Sequence, residues 1–108
     1  MFLQPLVGTD GRALSDEEKT SWWYPELEWE MGNRIPFYKD ARRVLTEFKQ
    51  IGPVSQQACI ADLSDSFKGE TQPVYADTGH LFPIGNRIVA SRILDELASC
   101  GLIARRAP

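Results

Sequence analysis

Ala58-Cys59-Ile60-Ala61-Asp62-Leu63 is the stretch on which the reading of the fold turns. Apolar residues follow one another here without the alternation that a strand with one wet face would show. Such a run suits a strand covered on both faces, as in a parallel sheet. Asp62 interrupts it near its C-terminal end, the end at which open α/β sheets form their ligand crevices. It is expected to hydrogen-bond the neighbouring loop.

Upstream of this strand, Pro36 to Gln50 reads as a helix. Phe37, Ala41, Val44, Phe48 and Ile51 recur at helical spacing and are expected to face the core. Arg42, Arg43, Glu47 and Lys49 take the other sides. Pro36 suits the first turn, and Gly52-Pro53 ends the element. Phe2 to Val7 reads as a short strand ending at Pro5, which has no N–H for a ladder bond. Downstream, residues 65–73 form a polar loop, in which Lys68 and Glu70 are expected to be solvated. Ile84 to Cys100 is the last helix, with Ala90, Ile93, Leu94 and Leu97 as its apolar stripe. Gly101 suits a left-handed stop, with Leu102 packing back on Leu97. Residues 104–108 read as a frayed tail. The order strand, helix, strand, helix is that of an α/β unit. A right-handed crossover places its two strands side by side and parallel.

The segment between the first strand and the long helix is more varied. Residues 8–11 read as a turn. Ser15-Asp16-Glu17-Glu18 is a capping box: the Ser15 hydroxyl accepts from the third helical N–H, and Glu18 reaches back. Pro25 is expected to stop that helix. Trp22, Trp23, Tyr24 and Trp29 read as a cap packed over one end of the core, since aromatic rings are usually buried for their area. The functional alternative is a wall facing substrate. Glu26 to Met31 alternates strictly but is rich in glutamate, a poor strand former, and reads as irregular or helical.

A length of 108 residues suits one small domain. A net charge of −3 offers no support for nucleic-acid binding, and Arg42-Arg43 and Arg105-Arg106 are isolated pairs. No apolar run approaches membrane-spanning length. Met1 to Val7 has no basic flank and does not read as a signal peptide. Cys59 and Cys100 are expected to be free buried thiols, with a disulfide left open because sequence carries no distance between them. Two cysteines and one histidine share no metal-ligand spacing, so neither a metal nor a cofactor is expected.

Chemistry concentrates in Val74-Tyr75-Ala76-Asp77-Thr78-Gly79-His80-Leu81, which holds the chain's single histidine. Asp77 lies three residues before it. A carboxylate on one imidazole nitrogen sets the tautomer and leaves the other nitrogen to take a proton from a nucleophile. Such a pair is the candidate catalytic site, with Asp62 as second choice to Asp77 for the acid. The same residues also suit a plain turn before a helix, with the aspartate as turn former.

Asp77-x-x-His80-Leu81, followed by Pro83-x-Gly85-Asn86-Arg87 and Ala90, resembles the last sequence block of the SGNH (GDSL-type) hydrolases. In that family a final strand leads into an Asp-x-x-His loop and then a helix. Phe2-Leu3-Gln4-Pro5-Leu6 resembles the family's penultimate strand, and Leu14-Ser15-x-x-Glu18 the loop-to-helix step after it. Phe82 departs from the small polar cap usual there. The resemblance is close over residues 74–98 and looser before. It implies that residues 1–108 are one partial domain. That domain would hold the last two strands and helices of a flavodoxin-like three-layer α/β/α sandwich. It also implies ester hydrolysis, with His80 as base and Asp77 orienting it. The class of ester stays open among carboxylic esters, acetylated sugars, thioesters and lysophospholipids.

The family's Gly-Asp-Ser nucleophile block and the glycine and asparagine of its oxyanion hole are not in this sequence. Ser64-Asp65-Ser66 is the nearest echo and reads as strand-end and turn residues. The implied partners are therefore a missing N-terminal half, a partner chain, or a second copy joined through an open sheet edge. A non-catalytic binding module and a truncated fragment without activity of its own are the alternatives.

Overall fold

The computed structural model describes residues 2–9, 12–51 and 59–104. Its elements are β1 (Phe2–Leu3), α1 (Asp16–Lys19), α2 (Tyr24–Gln50), β2 (Ala61–Asp62) and α3 (Pro83–Ser99). The two strands pair in parallel, Phe2 opposite Ala61 and Leu3 opposite Asp62. The adjacency and direction read from the sequence hold. Residues 59–61 and Leu63 are buried, as the apolar run required.

The flavodoxin-like sandwich does not form. Among the described residues the sheet has two strands of two residues each, and helix dominates. The molecule measures 18 Å along its shortest axis. Helices on both faces of a sheet need roughly 30 Å, three layers of about 10 Å each. An unbroken apolar run shows that a segment is buried. It does not show how many strands flank it.

α2 is longer than its sequence signals suggest. Pro25 does not stop α1, which ends at Thr20; it opens α2 instead. Pro36 lies inside α2 rather than at its start. It removes the bond to the Gly32 carbonyl, a defect costing on the order of 3 kcal/mol in a helix interior. Separate anchors on the two sides of Pro36 offset this. Trp23 and Leu27 are buried before it, Tyr38 and Leu45 after it.

The buried face of α2 is not the expected one. Phe37, Val44, Phe48 and Ile51 are exposed, whereas Tyr38 and Leu45 face inward. The inward face is turned by one residue, about 100°. Polar tips decide this. The Tyr38 hydroxyl donates to the Gln4 carbonyl at 2.6 Å, and Arg42 Nε meets the Asp62 carboxylate at 3.0 Å. α3 shows a partial offset: of the expected stripe, Ile93 and Leu97 are half-buried but Ala90 and Leu94 are exposed, while Ile84, Ile88 and Val89 pack on the core. α3 ends as its sequence indicated. Gly101 has φ +76°, its N–H donates to Ala98, and the Leu102 N–H donates to Leu97. Those two bonds are the Schellman pattern.

Val7, Trp23, Leu27, Phe67, Val74 and Tyr75 form the main core. The aromatic cluster is split: Trp23 is buried, and Trp22, Tyr24 and Trp29 are exposed. Cys59 and Cys100 are joined by a disulfide, with their Cα atoms 5.7 Å apart, so the expected free thiols are corrected. The bond ties the approach to β2 to the end of α3. A separation of 41 residues concealed this proximity. Gly52-Pro53, residues 10–11, Ala58, Met1 and residues 105–108 lie outside the described residues. Among the described residues no helix is long and apolar enough to cross a membrane.

Candidate active site

The site grows out of a buried carboxylate. The capping box at Ser15 forms as read: Ser15 Oγ accepts from the Glu18 N–H, and the Glu18 carboxylate accepts from the Ser15 N–H. Glu18 then does more. It is buried against Arg12, whose two terminal nitrogens lie 3.2 and 2.9 Å from its oxygens. Its Oε2 also accepts from the Val74 and Tyr75 N–H groups, both at 3.2 Å. Arg12 in turn donates to the carbonyls of Glu70 and Gln72. Burial pushes the Glu18 carboxyl up, but the bonds from Arg12, Ser15 and Val74 outweigh it and hold the group below its ordinary value. α1 and the chain entering the histidine loop are thereby locked together.

α3 grips the same segment from the other side. A Cβ on Gly85 would lie 3.0 Å from the Val74 carbonyl oxygen and 3.2 Å from Leu81 Cβ. Glycine therefore lets the first turn of α3 approach the loop's base. Phe82 supplies no side-chain cap, and Pro83 opens the helix instead.

Between these two grips residues 75–81 fold back on themselves. Tyr75 and Leu81 pair as an antiparallel bridge, and the Ala76 N–H donates to the His80 carbonyl at 2.9 Å. Asp77 Oδ1 accepts from the Gly79 and His80 N–H groups at 2.8 and 2.7 Å. Both Asp77 oxygens lie 2.9 Å from His80 Nδ1. Asp77 thus forms the turn and holds the imidazole at once. The Gly79 N–H contributes most to holding the Asp77 carboxyl below its ordinary value. Slight burial opposes this, and the His80 ring and N–H add to it.

An ionised Asp77 favours the proton on Nδ1 and leaves Nε2 as the basic nitrogen. The His80 side chain is 83% exposed, so the pair stands at the surface. His80, but not Asp77, lines a cleft of about 290 Å³ with Gln4, Pro5, Gly79, Leu81, Asn86 and Val89. The end of β1, the loop and the start of α3 therefore meet at one place. Among the described residues, none lining this cleft carries a hydroxyl or thiol.

Asp62, the second-choice acid, is committed elsewhere. Its Oδ1 accepts from the Ser64 N–H at 2.9 Å and from the Ser64 hydroxyl at 2.6 Å, and its Oδ2 meets Arg42. Arg42 also donates to Ser64 Oγ and to the Thr9 carbonyl. Burial raises the Asp62 carboxyl, but the Ser64 and Arg42 bonds outweigh it and leave it below its ordinary value. Ser64 is buried, and the Ser66 hydroxyl donates to the Leu63 carbonyl. Both serines act as turn residues, as read.

Three polar links went unread in the sequence: Arg12 with Glu18, Arg42 with Asp62, and Arg34 with the Thr78 carbonyl. The arginines lie 6, 20 and 44 residues from their partners. Only the strand-end position of Asp62 gave a signal. No family model, no curated protein and no solved structure matches this chain.

Proposed function

We propose that this chain supplies the Asp-His pair of a Ser-His-Asp triad in an SGNH-type ester hydrolase. The nucleophilic serine and the oxyanion hole would come from polypeptide beyond these 108 residues. His80 Nε2 takes the proton from the incoming hydroxyl and returns it to the leaving alcohol, while Asp77 holds Nδ1–H and stabilises the imidazolium. The observation that carries this reading is the double 2.9 Å approach of the Asp77 carboxylate to His80 Nδ1, with the imidazole lining a surface cleft. The resemblance of Asp77-x-x-His80 and the residues after it to the last block of that family supports the same reading.

A direct test starts with the coding sequence upstream of Met1. An in-frame Gly-Asp-Ser block supports the reading. The extended chain should then hydrolyse a short-chain nitrophenyl ester, and Asp77→Asn should lower kcat by about 10³–10⁴. The 108-residue chain alone should show no turnover above its His80→Ala variant. Robust His80-dependent turnover by that chain would disprove the claim that its nucleophile lies elsewhere.

A second reading is a non-catalytic interaction module. It is favoured by the exposed apolar face Phe37, Val44, Phe48 and Ile51. Phe37, Ala41 and Val44 also line a groove of about 360 Å³ with Phe2 and Leu3 of β1. An N-terminal half, a partner chain or a second copy would pack there. A defined dimer by light scattering, with no hydrolysis by any longer form, would favour this reading over the first.

A further inference from the structure

The Asp77–His80 turn is tight, yet among the described residues the bonds within it do not tie it to the body of the protein. His80 is held through Asp77, and Asp77 through the turn. The outward connection is made at Thr78, the turn's second residue. Arg34 Nη1 donates to the Thr78 carbonyl at 2.7 Å. The Thr78 hydroxyl donates to Glu30 Oε1 at 3.3 Å. Glu30 and Arg34 are themselves paired at 2.5 Å, one helical turn apart on α2. Their side chains are only 24% and 16% exposed, so solvent screens this link far less than it does the imidazole.

We infer that Glu30 and Arg34 form a two-point clamp that positions the Asp77–His80 pair. The clamp holds Thr78 by both its carbonyl and its hydroxyl. That fixes the Thr78–Gly79 peptide plane and the Thr78 side chain, and with them the Gly79 and His80 N–H groups from which Asp77 accepts. Arg34 suits the task because its planar head can bond a carbonyl and a carboxylate together. A lysine offers a point charge and loses one of the two. Neither residue reaches the cleft lining, so both act through the turn and not on substrate. This inference rests on the proposed role of the Asp-His pair, but its test does not require catalysis.

The chain has one histidine, so its imidazole nitrogens can be observed without ambiguity. Long-range proton–nitrogen spectra of the labelled 108-residue chain, at a pH where the ring is neutral, read the tautomer. In the native chain Nδ1 should carry the proton and Nε2 should not. In Arg34→Ala the two nitrogen shifts should move toward each other as the tautomers mix. Arg34→Lys should fall between. Thr78→Val, which removes only the hydroxyl bond, should give a smaller shift in the same direction, and it stands in for Arg34→Ala if that variant does not fold. A native Nδ1–H tautomer unchanged in folded Arg34→Ala or, in its place, Thr78→Val would overturn the clamp and leave the Asp-His pair intact. A native chain without the Nδ1–H tautomer would instead remove the ground for the proposed function.

Discussion

The two halves of α2 differ in what surrounds them. Before Pro36, the helix follows the buried Trp23, buries Leu27, and sends Glu30 and Arg34 to the histidine loop. After Pro36, it buries Tyr38 and Leu45 and leaves Phe37, Val44, Phe48 and Ile51 in solvent. The second half carries the cleaner apolar stripe and the first carries the core. Helical periodicity identifies residues that share a face. Whether that face is covered depends on what the rest of the chain brings to it.

The largest effect that sharpens this contrast is expected at Trp23. Trp23→Ala should cost about 3–5 kcal/mol in a denaturant titration, because a large, fully buried ring leaves a cavity next to Leu27 and the 74–75 segment. A loss below about 1 kcal/mol would mean that the first half of α2 is not the anchored half.

Next comes the acid response of the Glu18–Arg12 lock beneath the loop. The folded carboxyl lies below its ordinary value of 4.5, so its contribution is complete above that pH and disappears as pH falls through the folded pKa. Asp62 and Asp77 are lowered from 3.8 and act in the same direction. Stability should therefore hold from neutral pH down to about 4.5 and decline below it. Glu18→Gln should cost about 3 kcal/mol at neutral pH, since it breaks the buried Arg12–Glu18 ion pair, and should flatten the acid decline. An acid decline unchanged by this substitution would shift the burden to the two aspartates.

The smallest effect is expected on the exposed half. Phe37→Ala should change monomer stability by no more than about 0.5 kcal/mol, as surface changes usually do. If this face docks another chain, the same change should weaken association measured by light scattering. A cost comparable to that of Trp23→Ala would show that Phe37 is buried in solution.

Much of the local structure was legible. The capping box at Ser15, the Schellman stop at Gly101 and the Asp77–His80 turn each rest on residues within five positions of one another. Backbone geometry allows few outcomes at that range. The buried run before Asp62 and the parallel pairing were legible for a related reason, since apolar continuity and crossover handedness act through simple rules. The layer count, the turned faces of α2 and α3, the disulfide and the three arginine links were not. Each depends on which distant segments meet.

By itself, then, the sequence determined the capping box at Ser15, the stop at Gly101, and that an aspartate and the single histidine share one turn. Short-range sterics and hydrogen bonds suffice for that. Tertiary structure alone decided that Glu18 would be buried beneath the loop, that Arg34 would reach Thr78, and that the regular stripe of α2 would face water. Those outcomes come from competition among long-range contacts. Two polar tips, Tyr38 on the Gln4 carbonyl and Arg42 on the Asp62 carboxylate, turned α2 away from the face that its apolar pattern marked.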